Sequence, residues 1–255
     1  MNVDTMLAVR STFRKRGHSF VPPCYWYSST TLCNVNSSSK DAPHKGLADM
    51  TTNADECRTV YDNWATDYGK DVEKWGYQTP LQVASILAKH LLDSQESSLR
   101  ILDAGAGDGL SGKALRESFP NCVLMGVDLS PKMLQIAQEK NWYNHLQTLD
   151  LNEPPFPFPD RSFDALACVG TMTYVDPAAL REFCRLVEPG GLICFTSRTD
   201  KLDRVQPVQQ HLVDQELWKL VEKTDPLPYL PNHPDFQNDI QVLIFLYQRT
   251  NKPIA

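Results

Sequence analysis

The sequence predicts an α/β fold in which helices cover both faces of a largely parallel sheet. Short, continuously apolar runs alternate with segments whose apolar residues recur at helical spacing, which is typical of βαβ units. The apolar runs lack polar alternation, as strands covered on both faces do. Such units are joined by right-handed crossovers and place ligand sites at the carboxyl ends of the strands.

Length and composition predict one soluble domain with an N-terminal extension. The chain has 255 residues, 42% of them hydrophobic, which is enough for a sizeable core. Its apolar runs fall far short of the roughly 20 residues that a membrane helix needs. The seven cysteines are odd in number and include no Cys-x-x-Cys pair. We therefore expect reduced thiols in a cytoplasmic protein.

Residues 1–48 differ in composition from the rest of the chain. They contain six Lys or Arg, two Asp and a stretch rich in Ser, Thr and Asn at 27–40. We predict a disordered arm, and a mitochondrial targeting arm of similar composition is kept as an alternative. The remaining residues include 19 basic and 29 acidic side chains, a balance that argues against nonspecific nucleic-acid binding.

Capping residues and apolar runs predict where the elements begin and end. Thr79, Ser130 and Asp176 each place a side-chain oxygen before a proline, which suits the first helical position. Apolar residues at helical spacing follow each of these caps. The predicted strands cover residues 99–104, 122–128, 146–150, 163–169, 192–197 and 240–247.

The loop after the first strand, DAGAGDGLSGKA at 103–114, resembles three kinds of nucleotide site. A phosphate-binding P-loop needs Ser or Thr after its Gly-Lys pair to hold magnesium, and here Ala114 follows Lys113. A dinucleotide fingerprint needs a third glycine three residues after Gly107, where this chain has Leu110. Both phosphate-binding patterns are therefore incomplete.

Charge favours the third kind of site. Asp103 ends the strand close to where a pyrophosphate would lie, and like charges about 4 Å apart repel by roughly 1 to 4 kcal/mol. S-adenosylmethionine reverses this sign, because it carries a sulfonium and an ammonium group and no phosphate. Gly105 and Gly107 let a ligand approach the backbone where a Cβ would otherwise stand. The loop therefore predicts S-adenosylmethionine as the cofactor.

Two more carboxylates end the second and third predicted strands. Asp128 lies about 20 residues beyond the glycines and can accept hydrogen bonds from both ribose hydroxyls, a feature shared with NAD sites. Asp150 can accept from the adenine amino group, with Leu129 and Leu151 as apolar contacts of the ring. Asp108 is expected to cap the following helix rather than touch the ligand.

Four segments resemble the class I S-adenosylmethionine-dependent methyltransferases: ILDAGAGDG, VLMGVDLSPKMLQIAQEK, LDLNEPPFPFPDRSFDALACVG and LREFCRLVEPGGLICFTSR. Within that class, residues 61–77 and 243–249 are similar to the Williams-Beuren syndrome region methyltransferase-like proteins. The resemblance implies a Rossmann-like three-layer sandwich. Its sheet would have seven mostly parallel strands, with the last strand antiparallel and inserted between its neighbours.

The resemblance also implies a domain at 49–255 with N-terminal lid helices over about 56–92. Tyr68, and less directly Tyr61 and Trp64, would close over the methionine end, although their spacing equally fits an apolar core stripe. The cofactor pocket would be lined by Asp103, Gly105, Gly107, Asp128, Asp150 and the backbone near Val169.

We expect methyl transfer to a small molecule or a protein side chain by in-line displacement. Positioning can supply roughly 7 to 11 kcal/mol of barrier reduction, so no catalytic residue is predicted. Residues 170–176 lack the Asn-Pro-Pro-Tyr type sequence of enzymes that methylate adenine or glutamine, and 200–239 carry no motif that identifies an acceptor. The histidines lack metal-ligand spacing. A non-catalytic module that binds S-adenosylmethionine or S-adenosylhomocysteine and an NAD-linked oxidoreductase remain alternatives.

Overall fold

The computed structural model describes residues 52–91, 98–234, 236 and 240–254. The predicted arm at 1–48 lies outside these ranges, so its disorder or targeting role, and the cellular location that depends on it, stay predictions. Across the described ranges, no helix is both long and apolar enough to cross a membrane.

From the first strand onward, helices lie between some consecutive strands, whereas the third and fourth strands and the last three strands follow one another without a helix. The helices are α1 (Ala54–Lys74), α2 (Thr79–Leu91), α3 (Leu110–Ser118), α4 (Pro131–Lys140), α5 (Ala179–Leu186) and α6 (Leu202–Asp214). The strands are β1 (Arg100–Ala104), β2 (Val123–Asp128), β3 (His145–Thr148), β4 (Phe163–Cys168), β5 (Val187–Arg198), β6 (Trp218–Lys223), β7 (Leu227–Pro228) and β8 (Gln241–Arg249).

One sheet contains all of these strands, in the order β3-β2-β1-β4-β5-β8-β6, with β7 paired to β8 outside this path. Strands β1 to β5 are parallel, and β8 runs antiparallel to both β5 and β6. The predicted seven-stranded arrangement with an inserted antiparallel last strand is therefore confirmed, and β7 is an addition. Strand order reverses between β1 and β4, which leaves a crevice at their carboxyl ends.

The helix starts agree with the predicted caps in part. Ser130 caps α4, because its side chain accepts a hydrogen bond from the Met133 amide. Asp176 accepts from the Ala178 amide at 2.8 Å in the turn before α5. The predicted cap at Thr79 is wrong: α2 already includes this residue, and the Gln78 carbonyl accepts the first helical amides.

Two strand predictions also need correction. Strand β3 ends at Thr148, so Asp150 lies in the turn that follows rather than at the strand end. Residues 200–239, in which no element was predicted, contain α6 and the edge strand β6. Strand β6 has the sequence WKLVEK, in which Lys and Glu interrupt the apolar residues, and it is largely exposed, as charged edge strands are. It therefore lacks the apolar run of a central strand.

Apolar clusters on both faces of the sheet form the core. One cluster includes Leu102, Phe183 and Trp218, and the other includes Val83 and Leu124. A third cluster joins α1 to the residues around β7 and the start of β8; its buried members are Trp64, Val72, Trp75, Tyr229, Leu230, Phe236 and Val242. This third cluster holds α1 over the crevice at the strand ends.

Candidate active site

A cavity opens at the carboxyl ends of β1 to β4, beneath α1. Its volume is about 760 Å³ including the space open to solvent, a size typical of small-ligand sites. Eight of the nine predicted site residues line it: Tyr68, Gly105, Gly107, Asp128, Leu129, Asp150, Leu151 and Val169. The structure thus brings together in one place residues that are spread over about a hundred positions of the sequence.

The glycine loop depends on two left-handed backbone positions. Gly105 has φ +85° and Gly107 has φ +53°, a region that side chains with a Cβ rarely adopt. A Cβ on Gly105 would stand only 2.0 Å from the Thr171 hydroxyl oxygen. The amides of Gly105 and Ala106 both donate to the Val127 carbonyl, at 2.8 and 2.9 Å. The loop is therefore fixed to β2 with its bare backbone facing the cavity.

Asp128 ties the glycine loop to the start of α4. Its Oδ2 accepts a hydrogen bond from the Gly107 amide at 2.8 Å, and its Oδ1 accepts from the Ser130 amide at 2.8 Å. Burial raises the pKa of this carboxyl, while the two amide hydrogen bonds act in the opposite direction. Each carboxylate oxygen retains a further lone pair, so the group can still accept from a ligand.

Asp103 does not line the cavity, contrary to the sequence-based expectation. The residue is fully buried behind the glycine loop, where its Oδ2 accepts from the Ser111 and Tyr143 hydroxyls, both at 2.6 Å. Burial raises the pKa of its carboxyl to about 6, against the lowering effect of these hydrogen bonds. The sequence indicates the strand end correctly but not the face to which the side chain turns. Any attraction that Asp103 exerts on a bound cation acts through the loop.

Asp108 forms an ion pair instead of the expected helix cap. Its Oδ2 lies 2.7 Å from the Lys140 ammonium, and Gly109, which has no capping side chain, precedes α3. A Cβ on Gly69 of α1 would approach the same carboxylate oxygen to 2.7 Å. Gly69 therefore allows α1 to pack closely against the end of the glycine loop.

The turn after β3 forms another part of the wall. Asp150 Oδ1 accepts hydrogen bonds from the Asn152 backbone amide at 2.8 Å and from its side-chain amide at 3.0 Å. Leu149 and Leu151 line the cavity beside it. Both hydrogen bonds use Oδ1, so Oδ2 keeps its lone pairs beside these apolar side chains. Such a site suits a ring with an amino group, and the structure is therefore compatible with the adenine contact predicted for Asp150.

Helix α1 covers the cavity with aromatic side chains. Tyr61 and Tyr68 line the cavity, whereas Trp64 is buried beside them and its indole N–H donates to Asp71 at 2.7 Å. The predicted stripe therefore divides between the cavity and the core. Asp62 accepts a hydrogen bond from the Ser130 hydroxyl at 2.5 Å, which attaches α1 to the first turn of α4. The opening and closing of α1 as a lid stays a prediction.

Five tyrosines lie together at one end of the cavity, and only two of them were expected there from the sequence. We call Tyr61, Tyr68, Tyr77, Tyr174 and Tyr229 the tyrosine cluster. Burial is the main cause of a raised pKa at all five phenols. The signal was weak because Tyr174 and Tyr229 stand alone in loops, and only folding brings them to α1. Other lining residues that were not predicted are Ala54, Cys57, Met133, Leu149, Asn152, Gly170, Thr171 and Val175.

Sequence comparison links the central part of the chain to methyltransferases. Residues 101–191 match a family model described as a methyltransferase domain. Human methyltransferase-like protein 27 is 38% identical over 143 residues, which cover 55% of this chain and 57% of that protein. A demethylmenaquinone methyltransferase from Tropheryma whipplei (strain Twist) is 36% identical over 133 residues, 51% of this chain and 55% of that protein. The match spans little more than half the length of these curated relatives.

Solved structures share the fold at low sequence identity. Magnesium protoporphyrin IX methyltransferase from Synechocystis PCC 6803, with bound SAH, has a TM-score of 0.57 at 14% identity and covers 78% of this chain and 100% of its own. The cyclase SpnF has a TM-score of 0.51 at 16% identity, covering 67% of this chain and 81% of its own. These likenesses concern the fold alone.

The fold, the glycine loop and the matched segment at 101–191 together make this part of the chain similar to class I S-adenosylmethionine-dependent methyltransferase domains. Within that class, the matched half of the chain is similar to human methyltransferase-like protein 27.

Proposed function

We propose that the protein binds S-adenosylmethionine in the cavity under α1 and transfers its methyl group to a small-molecule or protein acceptor. The observation that carries this proposal is the glycine loop at the crevice, held by Asp128 through the Gly107 amide at 2.8 Å. Gly105 and Gly107 present bare backbone to the cavity, and a Cβ on Gly105 would collide with Thr171. Of the described residues that line this cavity, none is Lys or Arg, the side chains that usually neutralise bound phosphates.

The residues present fit this cofactor in three parts. Asp128 would accept from the ribose hydroxyls, because it lines the cavity and each of its carboxylate oxygens keeps a lone pair beyond its amide hydrogen bond. Asp150, Leu129 and Leu151 would hold the adenine ring. The methionine part would lie over Gly105, where the backbone is exposed to the cavity.

When bound, the cofactor supplies a methyl group that is already activated by the sulfonium. The protein therefore has to position the acceptor in line with the methyl–sulfur bond, and positioning of this kind can supply roughly 7 to 11 kcal/mol. Tyr61 and Tyr68 would exclude water from the site, because α1 places both of them over the cavity. The proposed methyl transfer therefore requires no acidic or basic side chain of the protein to give or take a proton.

We also propose that the chain is a member of the Williams-Beuren syndrome region methyltransferase-like proteins. Similarity to human methyltransferase-like protein 27 supports a place among methyltransferase-like proteins. The fold alone does not imply methyl transfer, since SpnF shares it and is named a cyclase. Cofactor binding and methyl transfer therefore need separate tests.

Calorimetric titration of the purified protein with S-adenosylmethionine, S-adenosylhomocysteine, NAD and ATP tests the cofactor. We expect micromolar binding, about −8 kcal/mol, for the first two ligands alone. Binding of NAD or ATP alone would contradict the proposal. Incubation with labelled S-adenosylmethionine and fractionated extract then tests transfer. Tight binding without label on any acceptor would favour the non-catalytic alternative.

A further inference from the structure

A second, smaller cavity adjoins the first one behind the tyrosine cluster. Its volume is about 300 Å³ including open space, and Trp64, Tyr77 and Phe236 contribute to its wall. Tyr61, Tyr68, Tyr174 and Tyr229 line both cavities. A molecule placed among these phenols would therefore stand between an aromatic chamber and the proposed cofactor site.

The phenol oxygens meet close to the backbone at the end of β4. Gly170 has φ +72°, and a Cβ there would lie 2.8 Å from the Tyr77 oxygen and 3.4 Å from the Tyr229 oxygen. Gly170 also lines the larger cavity, next to Thr171, which in turn packs against Gly105 of the glycine loop. The polar end of the cluster is thus directed toward the place where the methyl group would lie.

The hydrogen bonds within the cluster leave O–H groups available to a ligand. Tyr61 bonds to Tyr174, and Tyr77 bonds to Tyr229. Each pair of phenols has two protons and uses one of them between its members. Tyr174 additionally accepts a hydrogen bond from the Arg198 guanidinium. Each pair therefore retains a second O–H that can donate to an acceptor atom in the cavity.

An ion pair between Arg198 and Asp200 lies behind this end of the cavity. Arg198 is 1% exposed and is held by Asp200 at 2.6 Å, whose own side chain is 36% exposed and so partly screened by water. Burial raises the pKa of the phenols, so they stay neutral donors at physiological pH. The guanidinium is the member of this ion pair that contacts the cluster, through Tyr174.

The cluster also lacks a base. Of the described residues that line the two cavities, none is His, Lys or Glu, and Asp128 and Asp150 both lie at the proposed ribose and adenine end. The Cys57 thiol has a pKa raised mainly by burial, which keeps it protonated. An acceptor that must lose a proton during transfer has no partner for that proton here.

Building on the proposed methyl transfer, we propose that the acceptor is a small-molecule carboxylate on an aromatic or apolar body, bound by the tyrosine cluster. One carboxylate oxygen would form the new O–CH₃ bond with its lone pair. The S–CH₃ bond would break and its electron pair would stay on sulfur, which gives a methyl ester and a neutral thioether. No proton is released, so this reaction needs donors to hold the carboxylate and no base.

Matched ligand sets test this inference. The protein is first titrated with S-adenosylhomocysteine, and then, with that ligand saturating, with phenylacetate, hexanoate and indole-3-acetate, each beside its primary amide and its amine. We expect at least one carboxylate to bind tenfold or more tighter than its amide and its amine, and to gain label from S-adenosylmethionine. Tighter binding of the amines, or no binding of any carboxylate, overturns the inference.

Tyrosine variants provide the second readout. Tyr174 and Tyr229 accept the hydrogen bond within their pairs and keep their own O–H for a ligand, and both line the larger cavity. In Tyr174→Phe and Tyr229→Phe the ring stays and this hydroxyl is lost, so the preference for carboxylate over amide should fall about tenfold. Tyr247→Phe is the matched control, because Tyr247 is buried in the sheet and stacks on Trp218 away from both cavities. An unchanged preference in both cluster variants contradicts the inference. If S-adenosylhomocysteine itself fails to bind, the proposed function fails instead.

Discussion

The two walls of the cavity are built in different ways. The wall formed by the strand ends depends on backbone geometry: Gly105 and Ala106 bond to β2, and Asp128 bonds to Gly107. The opposite wall consists of aromatic side chains from α1 and from the residues around Tyr229, held together by ring contacts. A wall fixed by backbone tolerates few residue types, whereas a wall of side chains can change its chemistry by substitution. The first suits an invariable cofactor, and the second suits an acceptor specific to this protein.

The largest effect is expected from Gly105→Ala, which tests the backbone wall directly. The new Cβ would collide with Thr171 and force a left-handed alanine. We expect a loss of roughly 2 to 5 kcal/mol in the free energy of unfolding and cofactor affinity reduced more than about 100-fold, or by over 2.8 kcal/mol. Urea unfolding and calorimetry measure the two effects.

Gly190→Ala is the matched control for this variant. Gly190 has φ +88°, similar to Gly105, but a Cβ there meets nothing within 4 Å. It should show the left-handed strain alone, roughly 1 to 2 kcal/mol of stability, with cofactor binding unchanged. If both variants bind the cofactor equally well, the close approach at Gly105 is not important for the site.

Asp128→Ala is expected to have the next largest effect on binding. It removes a carboxylate that holds the loop and would accept from the ribose, so affinity should fall by roughly 1.5 to 3 kcal/mol. Asp225→Ala, at an exposed carboxylate away from the cavity, is the control. A loss below about threefold for Asp128→Ala would show that the ribose assignment is wrong.

These two walls also differ in how far the sequence predicts them. Asp128 could be predicted because a strand end and its distance from the glycines are local features of the chain. Tyr174 and Tyr229 could not be predicted, because their significance arises from contacts with Tyr61 and Tyr77, far away in sequence. Asp103 is an intermediate case. The sequence correctly predicts that it lies near the end of β1, but the side to which its carboxylate turns is set by hydrogen bonds from Ser111 and Tyr143.

Asp103→Asn tests whether the buried carboxylate stabilises the loop or attracts the ligand. The pKa of Asp103 is raised from 3.8 to about 6 in the folded protein, so the native state binds its proton more tightly than the unfolded state does. The favourable contribution of this group is fully present below about pH 4 and is lost as the pH rises through about 6.

Between pH 4 and pH 7, the free energy of unfolding of the wild-type protein should therefore fall by roughly 2 to 3 kcal/mol relative to that of Asp103→Asn. Chemical unfolding of both proteins across this range measures the difference. Because Asp103 lies behind the loop, we expect cofactor affinity in the variant to change less than about threefold, or about 0.7 kcal/mol. A tenfold loss would show that its charge acts on the ligand across the loop after all.

The smallest effect is expected from Asp62→Ala, which loosens the aromatic wall without touching it. Asp62 attaches α1 to the cap residue Ser130, so its loss should allow α1, with Tyr61 and Tyr68, to move away from the cavity more often. We expect cofactor to dissociate about threefold faster in stopped-flow measurements, a change of about 0.7 kcal/mol, with association unchanged. Asp55→Ala, which breaks an exposed ion pair with Arg58 on the same helix, is the control and should have no effect on dissociation. If the two variants behave alike, α1 is held over the site by its ring contacts alone, and the two walls are more independent than the Asp62 hydrogen bond implies.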